Sequence, residues 1–209
     1  RLTHLIDSGL LEVIPGPDHA TKLWTHTVKC LKDGTWDAIT MACEGLVVRE
    51  GQIVARPPGK MWWMGQKGLP ETEPENFPAY DPQITHIMDG ERVCLFRDAD
   101  GLASFVTRDR LTGSAVTWAT QYYRSQCRDC VWPEGTTPWF WVVGPAWRRV
   151  VEYSKSALVL GGLVELATGE EMAYEAVDFW AKMNKFTPVE RYTKGVVAAL
   201  TAVTGQRGL

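Results

Sequence analysis

Three side chains able to give or take a proton stand among apolar neighbours: Glu44 in ACEGLVV, His86 in ITHIMDGER and Asp109 in VTRDRL. An imidazole beside a carboxylate in an apolar cavity is a workable pair for proton abstraction. His86 supported by Glu44 or Asp109 is therefore the candidate acid–base set, with a surface or otherwise satisfied histidine as the plainer reading. The sequence does not fix their separation. Cys127-Arg-Asp-Cys130 is the one pair with metal-like spacing. It has no second Cys-x-x-Cys or nearby His pair, and His4, His19 and His26 show no ligand spacing, so no metal is expected and the two thiols are read as ordinary loop cysteines.

These residues must be carried by strands, turns and helices that the pattern also marks. EGLVVREGQIVAR (44–56) reads as a hairpin turning at Glu50-Gly51, and ERVCLFR and LASFVTR (91–97 and 102–108) as a second turning at Asp98–Gly101. LTGSAVTWATQYYR (111–124) reads as a helix capped by Thr112 or Ser114. Strands are expected over 139–143, 148–153 and 157–166, the last interrupted by Gly161-Gly162. GEEMAYEAVDFWAKMN (169–184) has early acidic residues and a helical apolar spacing, and KGVVAALTAV (194–203) reads as a last helix. The Pro-rich run at 68–82 reads as a loop. Hairpins interspersed with helices, without regular βαβ alternation, give an α+β class with a mainly antiparallel sheet.

A chain of 209 residues suits one domain, taken as 1–209, with a substantial core. A net charge of -3 argues against a generally basic nucleic-acid binder. No apolar run reaches membrane-spanning length. Five scattered cysteines, an odd number, fit reduced thiols and a cytoplasmic location. The first residue is Arg1, so the start reads as processed or incomplete, and no signal peptide is visible.

In order along the chain, ACEGLVVREGQIVARPPGKMWWMGQ (42–66), ITHIMDGERVCLFRDADGLASFVTRDRLTGSAVTWA (84–119) and TPWFWVVGPAWRRVVEY (137–153) resemble the adenylyltransferase domain of phage T4-type RNA ligases, the class that repairs cleaved tRNA. ATGEEMAYEAVDFW and PVERY have counterparts downstream, and the resemblance covers roughly residues 25–192. It implies an ATP-grasp-like nucleotidyltransferase fold, with antiparallel sheets and flanking helices, and ATP with magnesium as the family's cofactors.

The departures lie on the family's nucleotide cleft. Asp89-Gly90 is the tail of a Lys-x-Asp-Gly nucleophile motif whose lysine place holds Ile87, and a side chain without a lone pair cannot form a lysyl-adenylate. The resemblance also puts Glu44 where the family has arginine, Trp63 and Trp147 where it has asparagine, Trp141 where it has glutamate, and Asp109-Arg110 where it has Gly-Ser. The family's late nucleotide-gripping motifs have no counterpart before Leu209. Arg56, Lys60, Asp89, Gly90, Arg108 and Arg148 persist. Random decay would scatter changes over loops and core, whereas these replacements gather where a ligand would sit and are mostly large and apolar. The resemblance thus implies a cleft lined by Trp63, Ile87, Trp141, Trp147, Arg56, Lys60, Asp89 and Arg108, rebuilt by nature or by engineering for a small, largely apolar or aromatic ligand. In Met61-Trp62-Trp63-Met64, read as a strand, at most two side chains can face it. Two alternatives stay open: a pseudo-ligase still binding ATP or, weakly, RNA, and a non-ligase enzyme using Glu44, His86 or Asp109. Trp24, Trp36, Trp118 and Trp180 read as core.

Overall fold

The computed structural model describes residues 1–63, 65, 72–73, 76 and 84–192. The chain divides into two compact units, one of Arg1–Trp62 with Asp89–Pro188 and one of Trp63–Met88 with Val189–Leu209.

The first unit holds two sheets. Strands β1 (Leu11–Pro15), β2 (Thr21–His26), β3 (Glu44–Arg49) and β4 (Gln52–Ala55) form an antiparallel sheet in chain order. Strands β5 (Glu91–Arg97), β6 (Ala103–Val106), β7 (Thr136–Val143), β8 (Ala157–Glu165) and the short β9 (Thr187–Pro188) form the other, ordered β6-β5-β7-β8-β9. Only the β8–β9 edge of that sheet is parallel. Helices α1 (Leu2–Asp7), α2 (Val28–Asp33) and α3 (Ala38–Ala42) accompany the first sheet, and α4 (Ser114–Gln126) and α5 (Tyr174–Met183) the second. The class is α+β, with a ligase nucleotidyltransferase-like architecture.

Strand alternation decides which side chains face which neighbours. Val93 and Leu95 of β5, Phe105 of β6, Phe140 and Val142 of β7 and Leu158 and Leu160 of β8 pack with Ala115, Ala119 and Tyr123 of α4 into one core. Burying each large apolar side chain there contributes about 1.5–3 kcal/mol. The intervening residues, Arg92 and Cys94 on β5 and Trp139 and Trp141 on β7, are register partners and share the sheet's opposite face. Trp139 lies across the glycine pair of β8, and a Cβ on Gly161 would stand inside its ring. That is why Gly161-Gly162 interrupts an otherwise apolar strand. A second cluster, Leu5, Leu10, Leu11, Cys30 and Cys43, ties α1–α3 to the first sheet. Arg49 donates to the Arg97 carbonyl at 2.9 Å, joining the sheets.

Both expected hairpins form, as do the strands over 139–143 and 157–166. Four expectations are corrected. Helix α4 is capped by Gly113 without a side-chain hydrogen bond, and the Ser114 hydroxyl instead accepts from Trp147 Nε1 at 3.2 Å. Residues 148–153 form no strand, because the amides of Arg149, Val150 and Val151 all turn toward one oxygen of Asp89. Helix α5 starts only at Tyr174: the Glu165 and Met172 amides donate to the Glu170 and Leu163 carbonyls, so 170–172 continue the sheet and Glu175 is the one acid in the first turn. Met61, Trp62 and Trp63, the described part of the expected strand over 61–64, are not in a strand either. The last helix over 194–203, the loop over 68–82 and Met64 fall outside the described residues, apart from positions 72–73 and 76.

In the second unit, Thr85 and Arg191 form an antiparallel bridge. The His86 amide donates to the Glu190 carbonyl at 2.8 Å and the Tyr192 amide to the Ile84 carbonyl at 2.9 Å. The His86 ring stacks on Tyr192 at 6.1 Å.

Candidate functional site

Glu44 opens β3 directly after the buried turn at Cys43, where a bulge between Trp24 and Thr25 sets Thr25 opposite it. The next residue must be glycine-like: a Cβ on Gly45 would come within 3.1 Å of Arg108 Cα, so the chain after β6 passes tightly over the start of β3. Three cations from three other segments converge on this point. Arg92 of β5 reaches Glu44 Oε1 at 3.1 Å and Lys60 Nζ reaches the same oxygen at 3.8 Å, with side chains only 5% (Glu44), 9% (Lys60) and 13% (Arg92) exposed. Arg108 acts electrostatically on Lys60 from the same side.

The aromatic part of the site is equally specific. The Lys60 ammonium stands 5.1 Å from the centroid of Trp36 and 4.9 Å from that of Trp62, inside cation–π range. Trp36 and Trp62 meet edge to face at 4.8 Å, and His26 packs edge-on against Trp36 at 5.1 Å. Burial pushes the Lys60 amine down; Glu44 opposes this, while Arg108 and Arg92 add to it, and the net shift is downward. Burial, then the charges of Lys60 and Arg108, drop His26 to about 4, so its ring is neutral at pH 7. Lys60 and Arg92 share the single carboxylate of Glu44, while the exposed Arg108 pairs with Asp109, so the buried part of the cluster holds more cationic than anionic groups. Among the described residues, Glu44 Oε2 and both ring nitrogens of His26 are buried without a well-formed hydrogen bond, the Cys43 backbone being the polar group that acts on the His26 ring. Such polar atoms ordinarily find a partner in protein, water or ligand.

Beside the cluster lies a cavity of about 310 Å3 lined by Arg56, Lys60, Trp62, Thr168 and Gly169 among others. Its size is at the lower end of small-ligand pockets. Arg56 is fixed through its amide, which donates to Thr137 Oγ1 at 3.0 Å, and its Nε is buried without a partner.

Of the residues singled out in the sequence, the structure thus brings Glu44, Lys60 and Arg108 together, with Arg56 sharing a cavity with Lys60. Trp141 is buried on the sheet face that Arg92 occupies, its ring 6.1 Å from that of Trp139. Trp147 sits elsewhere, its ring tilted against that of Trp118 with centroids 5.3 Å apart and its Nε1 donating to the Ser114 hydroxyl. Asp89 serves as a latch: one carboxylate oxygen accepts from the amides of Arg149, Val150 and Val151 at 2.8, 2.6 and 2.7 Å. The Val150 and Val151 amides, then that of Arg149, hold its carboxyl below the usual range. Asp109 is engaged by Thr107 Oγ1 and Arg110 Nε, both at 3.2 Å, and lies 3.6 Å from Arg108. Burial raises its carboxyl, but the hydrogen bond and charge of Arg110, with Arg108, outweigh that and lower it. Trp63, His86 and Ile87 belong to the second unit, where Trp63 and Ile87 are 79% and 64% exposed. Among the described residues no three His, Cys, Asp or Glu side chains gather as a metal-ion set. No described helix is long and apolar enough to cross a membrane.

Sequence reasoning missed His26, Arg92 and Trp36. Arg92 was within reach, because it alternates with Val93 in register with Gly90 and Cys94. Trp36 does pack against the N-terminal cluster, but it also carries Lys60, which no local pattern signals.

No family model matches the sequence, and no curated protein matches it. Solved structures do match in fold. An archaeal ATP-dependent RNA ligase aligns over 100% of this chain at 10% identity with a TM-score of 0.54, and a second crystal form over 92% at 11% and 0.53. A putative ATP-dependent DNA ligase from Aquifex aeolicus aligns over 98% at 9% identity and 0.57. The chain spans about half the length of these proteins, 55%, 49% and 54% respectively. The likeness is one of fold.

Proposed function

We propose that this chain is a ligase-fold binding domain whose inter-sheet cleft takes a small ligand with an aromatic ring and an anionic group, the chemistry of a nucleotide, without forming a lysyl-adenylate. One observation carries the reading: Glu44 is enclosed with Lys60 and Arg92 beside Trp36 and Trp62, so that two buried cations share one carboxylate against aromatic faces, with the exposed Arg108 acting on Lys60 from nearby. Phosphate oxygens suit the guanidinium fork of Arg92 and the point charge of Lys60, and a base or other flat ring suits the tryptophans. A wholly apolar ligand would leave those cations unanswered, so the cleft favours an anionic aromatic over the purely apolar occupant. Ile87, where the resemblance expects the nucleophile, removes the covalent route of that family.

The acid–base reading has less support, since Glu44 and Asp109 are both committed to cations. RNA would be held through few cations and with a shallow salt dependence. The free thiols Cys30, Cys43, Cys94, Cys127 and Cys130 favour a reducing, cytoplasmic setting.

The test is a titration with ATP, with and without magnesium, followed by tryptophan fluorescence and calorimetry. Binding with a Kd of about 1–100 μM and no covalent nucleotide on the protein is the expected result. A folded sample that binds no ATP up to about 1 mM refutes the reading.

A further inference from the structure

We propose that His26 is a ligand-contacting residue of this cleft, its imidazole hydrogen-bonding the anionic group that Lys60, Arg92 and Arg108 attract. The inference rests on the nucleotide-type reading above and adds a residue and a proton to it. His26 is only 5% exposed, and among the described residues neither ring nitrogen makes a well-formed hydrogen bond, the Cys43 backbone being the polar group that acts on the ring. An unsatisfied buried donor or acceptor costs about 1–3 kcal/mol, which an oxygen of a bound anion reaching the ring would recover. The backbone holds the residue in place: its amide donates to the Cys43 carbonyl at 2.8 Å, at the end of the bulged β2 and one residue from the partner of Glu44.

The ring's surroundings give the chemistry of what meets it. His26 and the Lys60 ammonium both lie against Trp36, each 5.1 Å from it. The charged and titratable groups acting on the ring are Lys60, Arg108 and Arg92, with Glu44 across the strand pair and the Cys43 thiol behind the backbone contact. These cations and burial keep the imidazole neutral in the free protein. An entering oxyanion offsets the cations, and the ring then donates N–H to it, taking up a proton where the pH allows. The ligand class is thus an oxyanion of two or more charges, such as a phosphate ester, bound with proton uptake at His26. Binding then tightens as pH falls, by up to about tenfold per unit between the bound-state pKa and the free value of about 4.

The experiment follows the ring 15N resonances of His26 through a pH titration of the full chain, with and without saturating ADP as probe. Occupancy is read independently by tryptophan fluorescence. A His26→Phe variant assigns the signal, and where that variant does not fold, the Overhauser contact between the His26 and Trp36 rings assigns it in the wild type. With ADP bound, the His26 midpoint should move upward by at least about one unit. ADP bound with an unmoved His26 titration overturns the inference and leaves the binding reading standing. ADP not bound at all overturns both.

Discussion

Replacing Glu44 by glutamine tests whether the carboxylate is the counter-ion on which the cleft's cations depend. The side chains keep their shapes, and only the charge disappears. At an effective dielectric of about 20, contacts of 3.1 Å to Arg92 and 3.8 Å to Lys60 correspond to attractions of about 5 and about 4 kcal/mol. Desolvation of the carboxylate offsets much of this in the wild type. The variant loses the attraction and leaves two nearly enclosed cations, with Arg108 beside them, unanswered. Breaking a buried pair from one side costs about 3–5 kcal/mol, a large share of a typical domain's stability of about 5–15 kcal/mol. Urea unfolding followed by tryptophan fluorescence should show the midpoint falling by about 1–2 M at an m value of about 2–3 kcal/mol/M. Inorganic phosphate should stabilise the variant more than the wild type, because Lys60 and Arg92 then lack their carboxylate partner. A midpoint within about 0.3 M of wild type, or equal phosphate effects, refutes the reasoning: the cations would then be answered by water.

Three further outcomes are expected. Unfolded histidine takes up its proton near 6.5 but His26 only near 4, so stability falls as pH drops through that window, by about 3 kcal/mol in all, and denaturation curves at stepped pH should lose this slope in His26→Phe. Asp89→Asn should speed amide exchange at Arg149, Val150 and Val151; because the folded carboxyl titrates below 3.8, the wild-type latch holds above that value and loosens as pH falls through the folded pKa, which exchange stepped from about pH 5 to below about pH 3 will check. Gly161→Ala should displace the Trp139 ring and cost about 1–3 kcal/mol, seen as a lowered unfolding midpoint with an altered near-ultraviolet spectrum.

The elements legible in the sequence were those whose cause is local. The hairpins of β3–β4 and β5–β6 follow from alternating apolar residues around Glu50-Gly51 and Asp98–Gly101, and α4 from its apolar spacing. The failures share one physical source: a side chain distant in sequence outcompeted the local preference. VVEY at 150–153 has strand composition, but Asp89 gathers the amides that a ladder would need. Ser114 is a good cap by type, but Trp147 already donates to its hydroxyl. Glu170 and Glu171 suit a first helical turn, but β8 pairs with the backbone there and postpones the helix.

The cleft obeys the same logic with higher stakes. Glu44, Lys60 and Arg108 were legible singly because each stands at a motif position, yet nothing local says that one anion answers several cations. That ratio arises because β3 and β5 begin near each other at the seam between the sheets, and the chains after β4 and β6 return to it. His26 and Trp36 come from the N-terminal segment, where the motif resemblance is weakest, and they supply the site's neutral donor and its ring face. A site read only from the motif resemblance looks apolar, since that resemblance expects a charged residue where Trp141 stands. Read from contacts, its enclosed part is charged, because Arg92 lies on the same sheet face as Trp141 and reaches Glu44. The aromatic rings and the cations are therefore complementary: Trp36 and Trp62 lower the local dielectric around Lys60, and a lower dielectric strengthens every electrostatic contact that Lys60 and Arg92 make.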